Sequence, residues 1–169
     1  MQEFMRRLRR SSVACIIGAA TSITLSAQSV TTTASESPGS ASRTTTITGR
    51  NGKTATYEND AAWGNGQYTD NKAVTGFNGK TASSNTTGSY APGSTSRQTT
   101  VTGFNGRSAT YNNNRSWGNG SYSDTASYRG FDGATRSGTV TRSNGLVTNT
   151  YTGRNGNSRT VTRLARFRR

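Results

Sequence analysis

The sequence contains no histidine, a single cysteine (Cys15) and only seven acidic residues against 21 Lys and Arg. Without histidine, neither a Ser-His nor a Cys-His pair can be built, and a transition-metal site would have to rest on carboxylates alone. One cysteine permits no intrachain disulfide. Hydrophobic residues make up 28% of the chain, so there is little material for a conventional core. The one sustained apolar run, SSVACIIGAATSITL, is too short and too rich in Ser and Thr to span a bilayer as a helix. No helical periodicity of apolar residues follows it.

What surrounds that run gives it a meaning. MRRLRR precedes it and SAQS follows it, which is the basic, apolar and small-residue order of a secretory signal. The expected cut follows Ser29, with Ala27 and Ser29 as the small residues, so residues 1–29 are read as signal peptide. The mature chain is then expected to be secreted, periplasmic or on the cell surface, with no integral membrane span. Cys15 leaves with the signal. Losing four Arg and Glu3 lowers the formal net charge from +14 to +11. That charge is uneven: residues 30–127 carry eight bases and five acids, whereas residues 128–169 carry nine Arg and only Asp132. A basic end of this kind attracts polyanions.

The remainder is a tandem array. Residues 38–83 align with 92–137 at 26 identical positions of 46, and repeats are assigned to 38–91 and 92–145, with a partial copy after them. Inside lies a shorter unit: ITGRNG, VTGFNG, VTGFNG and YRGFDG begin at 47, 74, 101 and 128, and YTGRNG follows at 151. Glycines preceded by Asn, Asp or Pro fall at intervals of 13 or 14 residues, shortening to 12 and 11 at the end. Such dipeptides supply the left-handed backbone of tight turns.

Between turns the apolar residues alternate with Thr. Ile47, Ala55 and Tyr57 share one parity while Thr46, Thr48, Thr54 and Thr56 take the other, and Val101, Ala109 and Tyr111 repeat the pattern. Period two is strand patterning, and Thr favours strands through its branched Cβ. The expected fold is all-β: a tandem-repeat antiparallel β-meander of short strands with Asn-Gly, Asp-Gly or Pro-Gly turns every 13–14 residues. The alternative is a β-solenoid with about 27 residues per coil, which would also stack like turns. In the meander, Gly-x-Asn/Asp-Gly turns lie along one edge, and WGNG and Pro-Gly turns along the other. Residues 30–37 are read as a flexible lead, 38–158 as the array and 159–169 as a basic tail.

Candidate sites are few. Glu58 and Asp60 could pair for glycoside cleavage, but Asn112 and Asn114 replace them in the second copy. Asp70 and Asp124 match between copies and are read as turn or cap residues. No enzyme activity, cofactor or metal is expected. Trp63, Tyr68, Trp117 and Tyr122 form a candidate aromatic surface, of the kind that stacks sugars or bases. Arg159, Arg163, Arg166, Arg168 and Arg169 are the candidate polyanion-binding residues. Thr-x-Thr recurs at 46–48, 100–102, 139–141 and 160–162. The leading expectation is an exported structural β-repeat protein of the cell surface or extracellular matrix, self-associating through exposed strand edges. The alternative is a soluble module for acidic polysaccharide, lipopolysaccharide or extracellular DNA, and an ice-binding Thr array is a remote third.

Overall fold

A computed structural model describes residues 27–165 of the chain. Its eleven strands are β1 (Ala27–Ser37), β2 (Ser40–Gly49), β3 (Thr54–Gly64), β4 (Gln67–Thr75), β5 (Thr81–Ala91), β6 (Ser94–Thr102), β7 (Ser108–Gly118), β8 (Ser121–Arg129), β9 (Thr135–Ser143), β10 (Leu146–Thr152) and β11 (Ser158–Leu164). They form one sheet in strict sequence order, every neighbouring pair antiparallel. This is the meander. A solenoid would instead stack equivalent strands of successive coils in parallel. Contacts join consecutive strands only, so the sheet is open: β1 and β11 do not close it into a barrel.

Two turn chemistries alternate along the meander. At one edge, Gly49, Gly76, Gly103, Gly130 and Gly153 each accept the N–H of the glycine three residues on, at 2.9–3.0 Å. That second glycine has φ between +75° and +79°. This is a type I turn closed by a left-handed glycine bulge, the three-residue hairpin connection. The Asn or Asp before the bulge accepts a backbone N–H two residues on in four of the five, as Asn51 does from Lys53 at 3.1 Å. The opposite edge has two-residue turns. Asn65-Gly66, Asn119-Gly120 and Asn144-Gly145 have positive φ at both positions, the type I′ geometry that suits twisted strands. At Pro38-Gly39 and Pro92-Gly93 only the glycine is left-handed, since proline holds φ negative.

The two-residue turns are also tied to the next hairpin. Gly39, Gly66 and Gly93 offer their carbonyls to the N–H groups of Trp63, Tyr90 and Trp117 at 2.6–2.8 Å. The ladder therefore runs through the turn itself, with an aromatic residue as donor at these three turns and Ala165 as donor to Gly145 at 2.7 Å.

There is one layer and almost no interior. Among the described residues only Ala109, Val147, Thr86 and Gly130 are buried. Backbone ladders, cross-strand side-chain pairs and turn geometry hold the sheet, where most domains rely on a second layer. Residues 30–37, expected to be a flexible lead, are most of β1 and pair residue by residue with β2. Alternating Ser and Thr suit a strand, and Thr32 bonds Thr45 while Ser35 bonds Ser42 across the ladder. The expected cut after Ser29 falls inside β1. Residues 159–164 of the expected basic tail belong to β11, paired with β10.

Candidate functional site

The pairing register sorts the side chains onto two unlike faces. Following opposite partners from strand to strand puts all seven Tyr and both Trp of the protein on one face. Ile47, Val74, Val101, Val140, Val147 and Val161 join them. The other face is built of Ser, Thr, Asn and Gln with a few Ala and, at its C-terminal corner, the facing pair Leu146 and Leu164; its charged residues are Glu58, Asp60 and Arg129. The Thr-x-Thr segments follow from this: both threonines face the hydroxyl side while Ile47, Val101, Val140 or Val161 between them faces the aromatic side.

On the hydroxyl face, polar groups pair across strands. Thr75 bonds Thr81, Thr102 bonds Ser108 and Thr152 bonds Ser158, at 2.7–2.9 Å, each beside a three-residue turn. Asn85 bonds Asn71 two rows further in from Thr75 and Thr81. Glu58 and Asp60 stand two residues apart on β3, on this open face with no wall opposite. Shallow depressions open on it near Thr110, Asn112, Ser127 and Ser137 and near Thr87, Ser89 and Gln98.

On the aromatic face, Trp63 is opposite Tyr68 and Trp117 opposite Tyr122. Each pair flanks an Asn-Gly turn at the first position where the strands do not exchange backbone bonds, which is the close pairing that aromatics favour. The Tyr68 ring lies over Gly88, the next residue in its row, covering backbone that lacks a side chain of its own. Burial there pushes the Tyr68 phenol above the usual tyrosine value, with Arg97 pulling the other way.

Asp70 and Asp124, read from sequence as turn or cap residues, lie within β4 and β8 on this face. Asp70 pairs with Lys72. Asp124 accepts from Arg115 Nε at 2.9 Å, from Tyr122 Oη at 3.1 Å and from Asn113 Nδ2 at 2.6 Å. Lost solvent contact, then the bond to Asp124, raises the Tyr122 phenol above its ordinary value.

The C-terminal half of the face is basic. Arg142 is opposite Tyr122, Arg136 opposite Tyr128 and Arg159 opposite Tyr151, while Arg163 lies opposite Val147. Thus two of the candidate polyanion residues, Arg159 and Arg163, sit on the same sheet face as the candidate aromatics, a juxtaposition not given by reading 159–169 as a tail apart from the array. The signal was present as the period-two spacing of RTVTR. Arg166, Arg168 and Arg169 lie outside the described residues. A further set of bases, Arg50, Lys53, Lys80, Arg107 and Arg154, gathers on the three-residue turns, where Arg154 pairs with Asp132 at 2.8 Å.

Among the described residues no group of three or more Cys, Asp or Glu is placed to hold a metal ion, and no helix is long and apolar enough to cross a membrane. Comparison with protein-family models, curated proteins and solved structures finds no match.

Proposed function

We propose that the chain is an exported, non-catalytic structural protein of the cell surface or extracellular matrix that assembles by pairing its exposed strand edges. The observation that carries this reading is β1. It is an outer strand, AQSVTTTASES, of which VTTTASES follows the expected cut, and it has no Pro, Lys or Arg. These are the devices by which soluble proteins blunt a sheet edge. Among the described residues, nothing pairs with its outer side.

Hairpin geometry names the groups that would pair. Ser37 and Ser40 flank the two-residue turn and exchange both backbone bonds, so bonded and non-bonded pairs alternate from there. Thr32 and Ala34 fall at non-bonded positions and aim their N–H groups away from β2. Export rests on the basic, apolar and small-residue order of the N-terminus. A single-layer sheet with little buried apolar surface also gains stability from each strand added at its edge.

Ala34→Pro removes one outward N–H and leaves the β1–β2 ladder intact, because proline is tolerated on the free side of an edge strand. At low ionic strength and rising concentration, the wild-type chain forms larger species by sedimentation velocity and Ala34→Pro does not. A wild-type chain that stays monomeric while β-folded by circular dichroism, or an Ala34→Pro chain that assembles equally well, overturns the reading.

A further inference from the structure

We propose that the aromatic face of β7–β11 binds an acidic polysaccharide, with sugar rings stacked on Tyr128, Tyr151 and Trp117 and carboxylates held by Arg136, Arg142, Arg159 and Arg163. Rings and cations alternate by register: each of Tyr122, Tyr128 and Tyr151 stands directly opposite an arginine on the next strand, on the same side of the sheet. Opposite side chains in a ladder are about 5 Å apart, so each pair is one composite contact that offers a flat ring and a planar two-pronged donor. The rings are accessible: Trp117 is 40%, Tyr128 45% and Tyr151 55% exposed.

Charge decides what can cover this surface. Five arginines and one aspartate face outward from β7–β11, and Arg115 is already committed to Asp124. The other four make no ion pair among the described residues. A second copy laid face to face would set these cations against their own likeness. At contact distance each such opposition is repulsive. A polyanion reverses that sign.

The spacing and the acids favour a glycan over a nucleic acid. Along a row, arginines recur on alternate strands, β9 and β11, a separation of roughly 9.6 Å. A nucleic-acid strand presents a phosphate about every 3.4 Å, far denser than this surface can neutralise. A polyuronate, with one carboxylate per sugar and hydroxyls around the rest of each ring, carries its charge more sparsely and offers neutral polar groups between the anions. Asp124, neutralised by Arg115, and Asn113 leave the middle of the patch without net positive charge, which suits the hydroxyls between a polyuronate's carboxylates better than an unbroken run of phosphates. Edge-to-edge assembly leaves this face uncovered on every copy, so an assembled ribbon presents it many times over and binds with avidity.

The test titrates the full chain with polygalacturonate, with neutral dextran and with single-stranded oligothymidylate, following intrinsic tyrosine and tryptophan fluorescence. Polygalacturonate binds and dextran does not. Tyr151→Ala/Arg159→Gln weakens binding roughly tenfold, a loss of one ring and one charge contact. Lys53→Gln/Lys80→Gln removes two charges from the turn edge and changes binding less than about twofold. Should Tyr151→Ala disturb the sheet by circular dichroism, Arg159→Gln/Arg163→Gln gives the same weakening without loss of a ring. Equal weakening by the turn-edge variant would mean that net charge alone is at work and overturns the proposal. So does tighter binding of oligothymidylate than of polygalacturonate, or no binding of polygalacturonate at all.

Discussion

Gly52 and Gly66 have nearly the same backbone, φ +75° and +73°, and very different surroundings. A Cβ on Gly52 meets nothing within 4 Å, whereas a Cβ on Gly66 would lie 2.5 Å from the Tyr90 carbonyl oxygen. Replacing Gly52 by alanine thus costs only the left-handed backbone, about 1–2 kcal/mol. Gly66→Ala carries the same cost and also forces apart the turn and β5, which breaks the 2.6 Å bond from Tyr90 N–H to the Gly66 carbonyl. Its total reaches about 3 kcal/mol once that bond, worth about 1 kcal/mol, is lost with its packing. Urea denaturation midpoints of the two single variants measure the difference, and equal midpoints would show that the turn carbonyl does not tie neighbouring hairpins. The same geometry explains the tryptophans. Trp63 and Trp117 supply N–H groups to the turn ladder and rings to the aromatic face, so WGNG is first a joint of the fold.

At the scale of strand and turn, turn length controls which face a residue meets. Across a three-residue turn the odd or even parity of a face is kept, as with Ile47 opposite Ala55. Across a two-residue turn it is reversed, as with Trp63 opposite Tyr68. The short repeat unit contains one turn of each kind and has an odd length, so the aromatic face alternates between odd and even numbering. It returns to the same parity only after two units, which is the long repeat. That is why the strand order, the turn positions and the parity of the first hairpins are legible in the sequence, while the sorting of every Tyr and Trp onto one face is not: it needs the turn type at each corner. Residues 30–37 and 159–164 are strands without a strong sequence signal for a related reason. Ser, Thr and Arg have no apolar pattern, yet an edge strand with one neighbour requires none. Turn chemistry also titrates. Asp132 takes the place that Asn holds in the other three-residue turns, and the Ala134 N–H, followed by Arg154, holds its carboxyl below the usual carboxylate range. The ionised form therefore stabilises the turn above the ordinary aspartate pKa, and the contribution is lost as pH falls through the lowered value. Asp132→Asn keeps the turn bond and removes the titration. The gap in thermal midpoint between wild type and this variant is constant near neutral pH and shifts against the wild type in acid.

For the whole molecule, the odd number of strands decides what an assembly looks like. With eleven strands, β1 and β11 run in the same direction. A head-to-tail joint of β11 to the next copy's β1 is therefore parallel, whereas a two-fold joint of β1 to β1, or β11 to β11, is antiparallel and slightly stronger per residue. Charge separates these joints. Glu36 is the only charged residue of β1, and β11 carries Arg159 and Arg163. A β1–β1 seam is nearly free of charge; a β11–β11 seam gathers four arginines; a head-to-tail seam sets arginine near glutamate. Salt acts on the last two with opposite sign, since the screening length falls from about 30 Å at 0.01 M to about 3 Å at 1 M. The antiparallel scheme predicts two-chain species at low salt that join through β11 into ribbons as salt is raised, with a repeat of roughly 105 Å from 22 strands. Ala34→Pro then gives monomers at low salt and two-chain species at high salt. Sedimentation velocity across that range, with electron microscopy of the high-salt sample, reads the outcome. Assemblies that shrink as salt rises would identify the head-to-tail joint, because only there does screening remove an attraction.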